Sequence, residues 1–301
     1  MKIAITGGTG FVGRYLIQQS AQANHSLKCW YRSDNTPAQF KEYEDQIDWI
    51  PGNLDNHASM IDLLDGCDAV IHSAVWRPGT KFQGDEGNLI TYSMINVVGT
   101  LALIEAARTT GVRRFVFLSS AAVHDRILDD RALDEKHPLW AHSHYGAYKA
   151  AVEKFVHSLG YGHGYEICSL RPTNVYGVAN PTAKSKWYDL VKKVVLGEPV
   201  EVTKGGKQVH VQDVANAALM LLEADNITGE AYNCYDQYIS EFDVAHLAKK
   251  ISGSSSQIIG EQTTAKNQID TSKIKALGMN FGGSEILQAT IEQLVEEIQR
   301  S

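Results

Sequence analysis

The stretch Thr6-Gly7-Gly8-Thr9-Gly10-Phe11-Val12-Gly13 decides the fold. It follows Lys2-Ile3-Ala4-Ile5, which reads as a short apolar strand, and it opens a pattern that reads as a helix over 11–23. Its glycines satisfy G-x-x-G-x-x-G (Gly7, Gly10, Gly13) and G-x-G-x-x-G (Gly8, Gly10, Gly13) at once. Glycine permits a tight turn and lets the backbone come close to a pyrophosphate. The helix start then offers unpaired N–H groups and a partial positive charge. Gly7, Thr9, Gly10, Phe11 and Val12 are therefore candidates for holding a dinucleotide. Many βα turns carry two glycines; this one is set apart by its strand–turn–helix context.

Outward from the turn, short β-rich runs alternate with longer helical patterns. Strands are expected over 2–6, 27–31, 47–50, 69–73, 114–119 and 166–170, and helices over 11–23, 57–64, 88–110 and 145–159. Such alternation implies βαβ crossovers, so the expected fold class is α/β: a Rossmann-type doubly wound parallel sheet covered on both faces. After Arg171, Gly and Pro punctuate the chain and helices outnumber strands. The expected division is a dinucleotide-binding domain over 1–171 and a smaller, mostly helical substrate-binding portion over 172–301, with the chain returning to the sheet near 209–235. Ligands of such folds sit outside the carboxyl ends of the strands, and chemistry is expected at that edge.

Composition narrows the class. Of the 301 residues, 44% are hydrophobic and 21% charged, with a formal net charge of −7. This excludes disordered, collagen-like and small disulfide-stapled proteins. An acidic balance without a basic block argues against nucleic acid or a membrane surface as partner. No apolar run reaches the roughly 18 residues a spanning helix needs, and the N-terminus has no signal-peptide anatomy. Cys29, Cys67, Cys168 and Cys234 are widely spaced. They read as free, mostly buried thiols in a reducing cytoplasm, and no metal site is expected.

The end of the second strand selects the nucleotide. An acid there hydrogen-bonds the ribose hydroxyls, whereas an arginine suits a 2′-phosphate. Here Cys29-Trp30-Tyr31 leads into Arg32 and Ser33, ahead of the first acid, Asp34. Arg32 and Ser33 read as a phosphate clamp, which makes NADP the expected cofactor and NAD the alternative. The plain reading of Arg32 is a solvated loop cation. After the third strand, Asn53 is placed to accept from the adenine amino group and Leu54 to pack on the ring. Gly52-Asn53-Leu54-Asp55 reads equally as an ordinary turn.

Tyr145 and Lys149 form a Tyr-x-x-x-Lys on an expected helix, where i and i+4 share a face. A phenol of pKa about 10 is a poor acid or base at neutral pH, and a neighbouring ammonium lowers that value. Tyr145 is read as general acid/base, and Lys149 as its tuner and as a holder of the ribose hydroxyls. The motif alone is weak, since Tyr188 and Lys192 repeat it. What separates the pairs is Ser120, which ends the buried strand over 114–119 at the carboxyl edge of the sheet and is read as the hydroxyl that orients a carbonyl substrate. A serine at a strand end is otherwise a cap or turn residue.

In this order and with these gaps, the residues resemble the extended short-chain dehydrogenase/reductase family, in the branch of the NAD-dependent epimerases and dehydratases. The resemblance runs through Thr6–Gly13, Asp68-Ala69-Val70-Ile71-His72-Ser73-Ala74, Asn96-Val97-Val98-Gly99-Thr100, Ser119-Ser120, Tyr145/Lys149, Leu170-Arg171-Pro172-Thr173-Asn174-Val175-Tyr176-Gly177 and Val209-His210-Val211-Gln212-Asp213-Val214-Ala215. It implies a catalytic triad of Ser120, Tyr145 and Lys149. It also implies that Asn96 is tied to an active-site water relay, that His72, Ser73 and Ala74 line the adenosine half of the cofactor, and that Pro172 and Thr173 flank the nicotinamide. The resemblance further implies that Asn174 faces the substrate and that Asp213 is a structural helix-start residue, a place that also suits an N-cap.

The departures from the family pattern matter. Ala121 and Ala122 stand where dehydratases carry an Asp-Glu pair, which disfavours dehydration, and Ala121 also replaces the cysteine of the double epimerase-reductases. Between Arg171 and Arg300 there is no arginine, where nucleotide-sugar members carry one for the diphosphate; Lys204 and Lys207 occupy that region. Trp76, Tyr176, Trp187 and Tyr188 suit a more apolar pocket, with Trp76 a substrate-lining candidate. The reading is an NAD(P)-dependent hydride-transfer enzyme, first a nucleotide-sugar epimerase and alternatively an NADPH-dependent ketone or aldehyde reductase. A non-catalytic dinucleotide sensor is the third reading. Analogy to relatives implies a homodimer through the helices over 88–110 and 145–159.

Overall fold

The computed structural model describes residues 1–32 and 37–300. In chain order the first elements are β1 (Lys2–Thr6), α1 (Phe11–Gln22), β2 (Ser26–Tyr31), β3 (Ile47–Pro51), α2 (His57–Leu64) and β4 (Ala69–His72). Then follow α3 (Leu89–Ser93), α4 (Gly99–Thr109), β5 (Arg114–Leu118), α5 (His144–His157), β6 (Glu166–Pro172) and β7 (Asn174–Tyr176). The remainder is α6 (Tyr188–Val195), β8 (Val200–Val202), β9 (Gly205–His210), α7 (Val211–Glu223), β10 (Ala231–Cys234), β11 (Gln237–Ser240), α8 (Glu241–Ser252), β12 (Ile258–Gly260), α9 (Ser272–Ala276) and α10 (Gly283–Arg300).

Seven strands form one sheet in the order β10-β6-β5-β4-β1-β2-β3, with every pairing parallel. The order reverses direction between β1 and β4, the switch point at which doubly wound sheets bind dinucleotides. Ile3, Ile5, Val70, Ile71, Phe115, Val116, Phe117, Ile167 and Cys168 are fully buried. Continuous apolar strands of this kind follow from helices covering both faces. All four cysteines are buried and none forms a disulfide among the described residues.

The chain divides into two units. The first comprises Met1–Pro172, Ala215–Cys234 and Asp270–Met279, and the second Thr173–Val214, Tyr235–Ile269 and Asn280–Ser301. A single cut near residue 171 therefore does not describe it: α7 largely returns to the first unit, and β10 pairs with β6 as the edge strand (Ala231↔Ser169, Cys234↔Pro172). The second unit holds a three-stranded sheet, β11-β9-β7, and the β12–β8 pair. Its core is Tyr176, Val191, Val194, Val202, Ile239, Val244, Ile291, Leu294 and Val295, contributed by strands and by α6, α8 and α10. Helix outweighs strand in it, with α6, α8 and α10 running 8, 12 and 18 residues against strands of 3 to 6.

Two further expectations need correction. The helix expected over 88–110 is interrupted by a π turn at Met94–Val98. The helical run Leu89–Thr109 is also long and apolar enough to cross a membrane by length and composition, its charged residues Glu105 and Arg108 lying only near its C-terminal end. In the first unit it packs Tyr92, Asn96, Leu103, Ile104 and Ala107 inward. Asp213 is not an N-cap either. It lies in the first turn of α7, accepts from Gly282 N at 3.0 Å, and burial raises its carboxyl to about 6.

Candidate active site

In the first unit the glycine turn leaves β1 at Thr6 and enters α1 through Gly10. Gly7 has φ +74, and a Cβ there would lie 2.8 Å from Ser73 Oγ and 2.9 Å from Ala74 N. At Gly13 a Cβ would sit 2.0 Å from Gly7 O. The turn thus holds β1, the end of β4 and the first turn of α1 at separations only glycine permits. Gly10 caps α1 without a side-chain hydrogen bond, and the first turn has no acid. The amides of Phe11 and Val12 are those an anion would meet.

Thr6 organises the neighbouring strand end. Its Oγ1 accepts from Ser73 N and Ala74 N, each at 3.2 Å. Its own proton then goes to His72 Nδ1 at 2.6 Å, leaving His72 Nε2–H to donate to Thr100 Oγ1 at 3.0 Å. Burial, with the Lys149 charge, lowers His72 to about 3, so this imidazole is neutral. Ser73 Oγ donates to Thr6 O at 2.6 Å. Ser73 and Ala74 are thereby fixed beside the glycine turn, where the resemblance puts them.

The other cofactor candidates are distributed as follows. Arg32 directly follows β2 and is exposed; Ser33 lies outside the described residues. Asn53 is exposed, and its Oδ1 accepts from Asp55 N at 3.2 Å, the geometry of an ordinary turn. Leu54 is only 5% exposed and belongs to the core beside Trp30 and Met60. Pro172 closes β6 in the first unit, whereas Thr173 and Asn174 belong to the second. There Thr173 Oγ1 is buried with no partner among the described residues, and Asn174 is exposed at the start of β7.

The reactive group gathers where β5 and α5 meet. Ser120 N-caps a short 3-10 turn, accepting from Ala122 N at 3.2 Å. Tyr145 is partly buried in the first turn of α5, which Ser143 caps by accepting from Gly146 N at 3.0 Å. Burial raises the phenol above its ordinary value; the Ser120 hydroxyl and the Arg77 charge pull it back. Lys149, one turn on, is 2% exposed. Its Nζ donates to Leu118 O at 2.5 Å and to Tyr148 Oη at 3.3 Å, and lies 4.6 Å from the Phe117 ring centroid and 5.8 Å from that of Tyr145. Burial lowers this ammonium to about 7, against the pull of Glu153. Glu153 is locked in turn by Arg171, which donates from Nε at 3.0 Å and from Nη2 at 2.5 Å, both side chains being buried.

Serine, tyrosine and lysine thus come together, but Lys149 is not the group that counters the burial of Tyr145. A third of its three donors has no partner among the described residues and is available to a ribose hydroxyl. Ser119, beside Ser120, has a buried Oγ with no partner among the described residues. Asn96 is buried: its Oδ1 accepts from Trp76 N at 2.8 Å and its Nδ2 donates to Trp76 O at 2.9 Å and to Tyr92 O at 3.1 Å, pinning the segment after β4. Trp76 is partly buried, its ring 6.4 Å from that of Tyr92. The pair Tyr188/Lys192 lies on α6 in the second unit, with Lys192 exposed.

Sequence reasoning missed three residues of the segment 73–88: Arg77, Phe82 and Glu86. The Phe82 ring lies 5.2 Å from the Tyr145 ring, and buried Glu86 accepts from Tyr145 N at 3.4 Å through Oε1. The available signal was length, since a connection of this size without regular structure is commonly functional.

A family model described as the NAD dependent epimerase/dehydratase family matches residues 3–234. By sequence the chain is similar to the 3-beta-hydroxysteroid dehydrogenase of Mycolicibacterium neoaurum, 26% identical over 216 residues that cover 70% of this chain and 57% of that protein. It is also similar to vestitone reductase of Medicago sativa, 26% identical, with 77% of this chain and 76% of that protein covered. The chain therefore spans little more than half of the dehydrogenase it matches. By structure it resembles UDP-glucuronic acid 4-epimerase from Bacillus cereus in complex with UDP-glucuronic acid and NAD. The TM-score is 0.79 at 22% identity, with 100% of this chain and 99% of that one covered.

Proposed function

The chain belongs to the NAD-dependent epimerase/dehydratase family and is an enzyme, and from that premise we propose that it interconverts a secondary alcohol and a ketone, Tyr145 handling the proton. The glycine turn, the uncapped start of α1 and the spare donor of Lys149 fit a nicotinamide dinucleotide. When bound, that cofactor exchanges a hydride with the substrate carbon. The protein's share is the proton: Tyr145 Oη gives it to the carbonyl oxygen, or takes it from the alcohol in the reverse direction, while Ser120 orients the substrate oxygen. Lys149 keeps the ribose end in place. The observation that carries this reading is the packing of the first turn of α5 on the turn that Ser120 caps, where a Cβ on Gly146 would fall 2.5 Å from Ala122 O, with Tyr145 one helical turn from the buried Lys149.

We favour net oxidoreduction of an apolar carbonyl compound. Residues 172–299 contain no arginine. In the second unit Lys186 is held down to about 8 by burial and Lys207 is lowered likewise, a poor provision for a diphosphate. The similarity to a hydroxysteroid dehydrogenase and to vestitone reductase points the same way. Transient oxidation in a sugar-nucleotide 4-epimerase is the second reading, supported by the UDP-glucuronic acid 4-epimerase likeness. Arg32 immediately after β2 favours NADP over NAD. Free thiols fit a cytoplasmic protein. The exposed Ile90, Met94 and Val98, with Phe155 on α5, fit a homodimer. Incubation with NADPH and a panel of ketones decides the net reaction. Consumption of one NADPH per alcohol formed supports the reductase; conversion of UDP-sugars with no net change at the nicotinamide absorbance supports the epimerase instead.

A further inference from the structure

The segment 73–88 lies against the residue on which the proposed reaction depends. Phe82 packs on the Tyr145 ring at 5.2 Å between centroids, and the guanidinium carbon of Arg77 stands 4.3 Å from the Phe82 centroid. Arg77 Nη1 also donates to Thr80 O, so the cation is held from two sides. The turn beneath it is tight: Thr80 N donates to Asp85 Oδ2 at 2.8 Å, and a Cβ on Gly79 would fall 1.7 Å from the same oxygen. Arg77, Thr80 and Phe82 are all exposed, so folding stability gives little reason for this stack.

The groups around Tyr145 come from four elements. They are Arg77 and Glu86 from this segment, Tyr92 from α3, Ser120 after β5, and Tyr148 and Lys149 from α5 itself. Burial opposes negative charge on Tyr145, and the two phenols, themselves pushed up chiefly by burial, stay neutral beside it. Lys149 titrates near neutrality and directs two donors to Leu118 O and Tyr148 Oη. A guanidinium, by contrast, keeps its charge at every working pH. Arg77 is the one permanent cation in this set.

Resting on the reading of Tyr145 as proton donor, we propose that Arg77 is a positioning residue for that tyrosine: stacked on Phe82, its guanidinium holds the ring in place and stabilises the phenolate that remains once the proton has passed to the substrate oxygen. The segment 73–88 thereby couples its own conformation to the acidity of the reacting group.

The test uses the full-length protein with its tyrosines replaced by 3-fluorotyrosine, whose more acidic phenol titrates while the protein is folded. Fluorine NMR follows each ring, and Tyr145→Phe assigns the resonance. Arg77→Met is expected to raise the Tyr145 midpoint by roughly half a pH unit or more, the direction that removal of a nearby cation from a phenol gives. Arg77→Lys restores most of the wild-type value, and Phe82→Leu gives an intermediate rise. An unchanged midpoint in Arg77→Met, or a lysine variant as high as the methionine one, overturns the proposal. Neither outcome bears on whether Tyr145 reacts, because that question is answered by turnover of Tyr145→Phe.

Discussion

At the scale of single residues, the chemistry rests on what burial does to charge. Tyr145 and Lys149 are both driven toward their neutral forms by burial, and partners of fixed charge oppose this. Glu153 is one such partner: fully buried, paired with Arg171 and one helical turn from Lys149. Glu153→Gln leaves the Arg171 guanidinium without its counter-ion and is expected to cost about 3–5 kcal/mol in urea melts, whereas a change below about 1 kcal/mol contradicts a buried pair. Arg32 is the other decisive residue. Arg32→Asp is expected to reverse the cofactor preference, weakening NADPH at least tenfold while sparing NADH, as read by fluorescence titration; parallel weakening of both rules out a phosphate contact. Ser120, Tyr145 and Lys149 were legible because local spacing and one strand end place them. Arg77, Phe82 and Glu86 were not, since only the return of an irregular segment onto α5 brings them to the phenol.

At the scale of elements, the β1–α1 junction shows how little room the turn has. Gly13→Ala must push α1 away from Gly7 O. The expected result is a loss of roughly 1–3 kcal/mol in stability, together with at least tenfold weaker dinucleotide binding, measured by thermal melting and NADPH fluorescence. Full affinity in this variant would mean that the nucleotide does not lie on the turn. Six of the seven strands of the parallel sheet were legible to within two residues, because apolar runs such as Phe115-Val116-Phe117 have only one environment that suits them, and β10 entered only as a return near 209–235. The π turn at Met94–Val98 was not. It occurs where Asn96 leaves the helix pattern to bond the Trp76 backbone, a tertiary demand that no periodicity records.

At the scale of the whole molecule, the fold depends on keeping several imidazoles neutral. His72 is lowered to about 3 by burial and the Lys149 charge, His124 to about 4 by burial and Arg171, and His210 to about 4 by burial, from an ordinary 6.5. His124 accepts from Arg171 Nη1 at 3.2 Å and so has its other nitrogen free to donate to Pro138 O. Between pH 6.5 and about 4 the unfolded chain binds protons that these groups refuse, so their contribution is complete above 6.5 and is lost as pH falls toward 4. Asp213 and Glu135, raised by burial, work in the opposite sense but are fewer. The melting temperature should therefore fall steadily from pH 7 to 4.5, and a flat or rising profile contradicts neutral buried histidines.

The return of the chain to the first unit over Ala215–Cys234 was legible as the return expected near 209–235, whereas the return of Asp270–Met279 was not, because no strand pattern marks it. The central claim remains the proton on one phenol. Its most direct test is the single-turnover rate of nicotinamide absorbance change in Tyr145→Phe, compared with wild type at saturating cofactor. A fall of at least a hundredfold with unchanged cofactor affinity is the predicted result. A rate within a few-fold of wild type would show that the proton travels by another route.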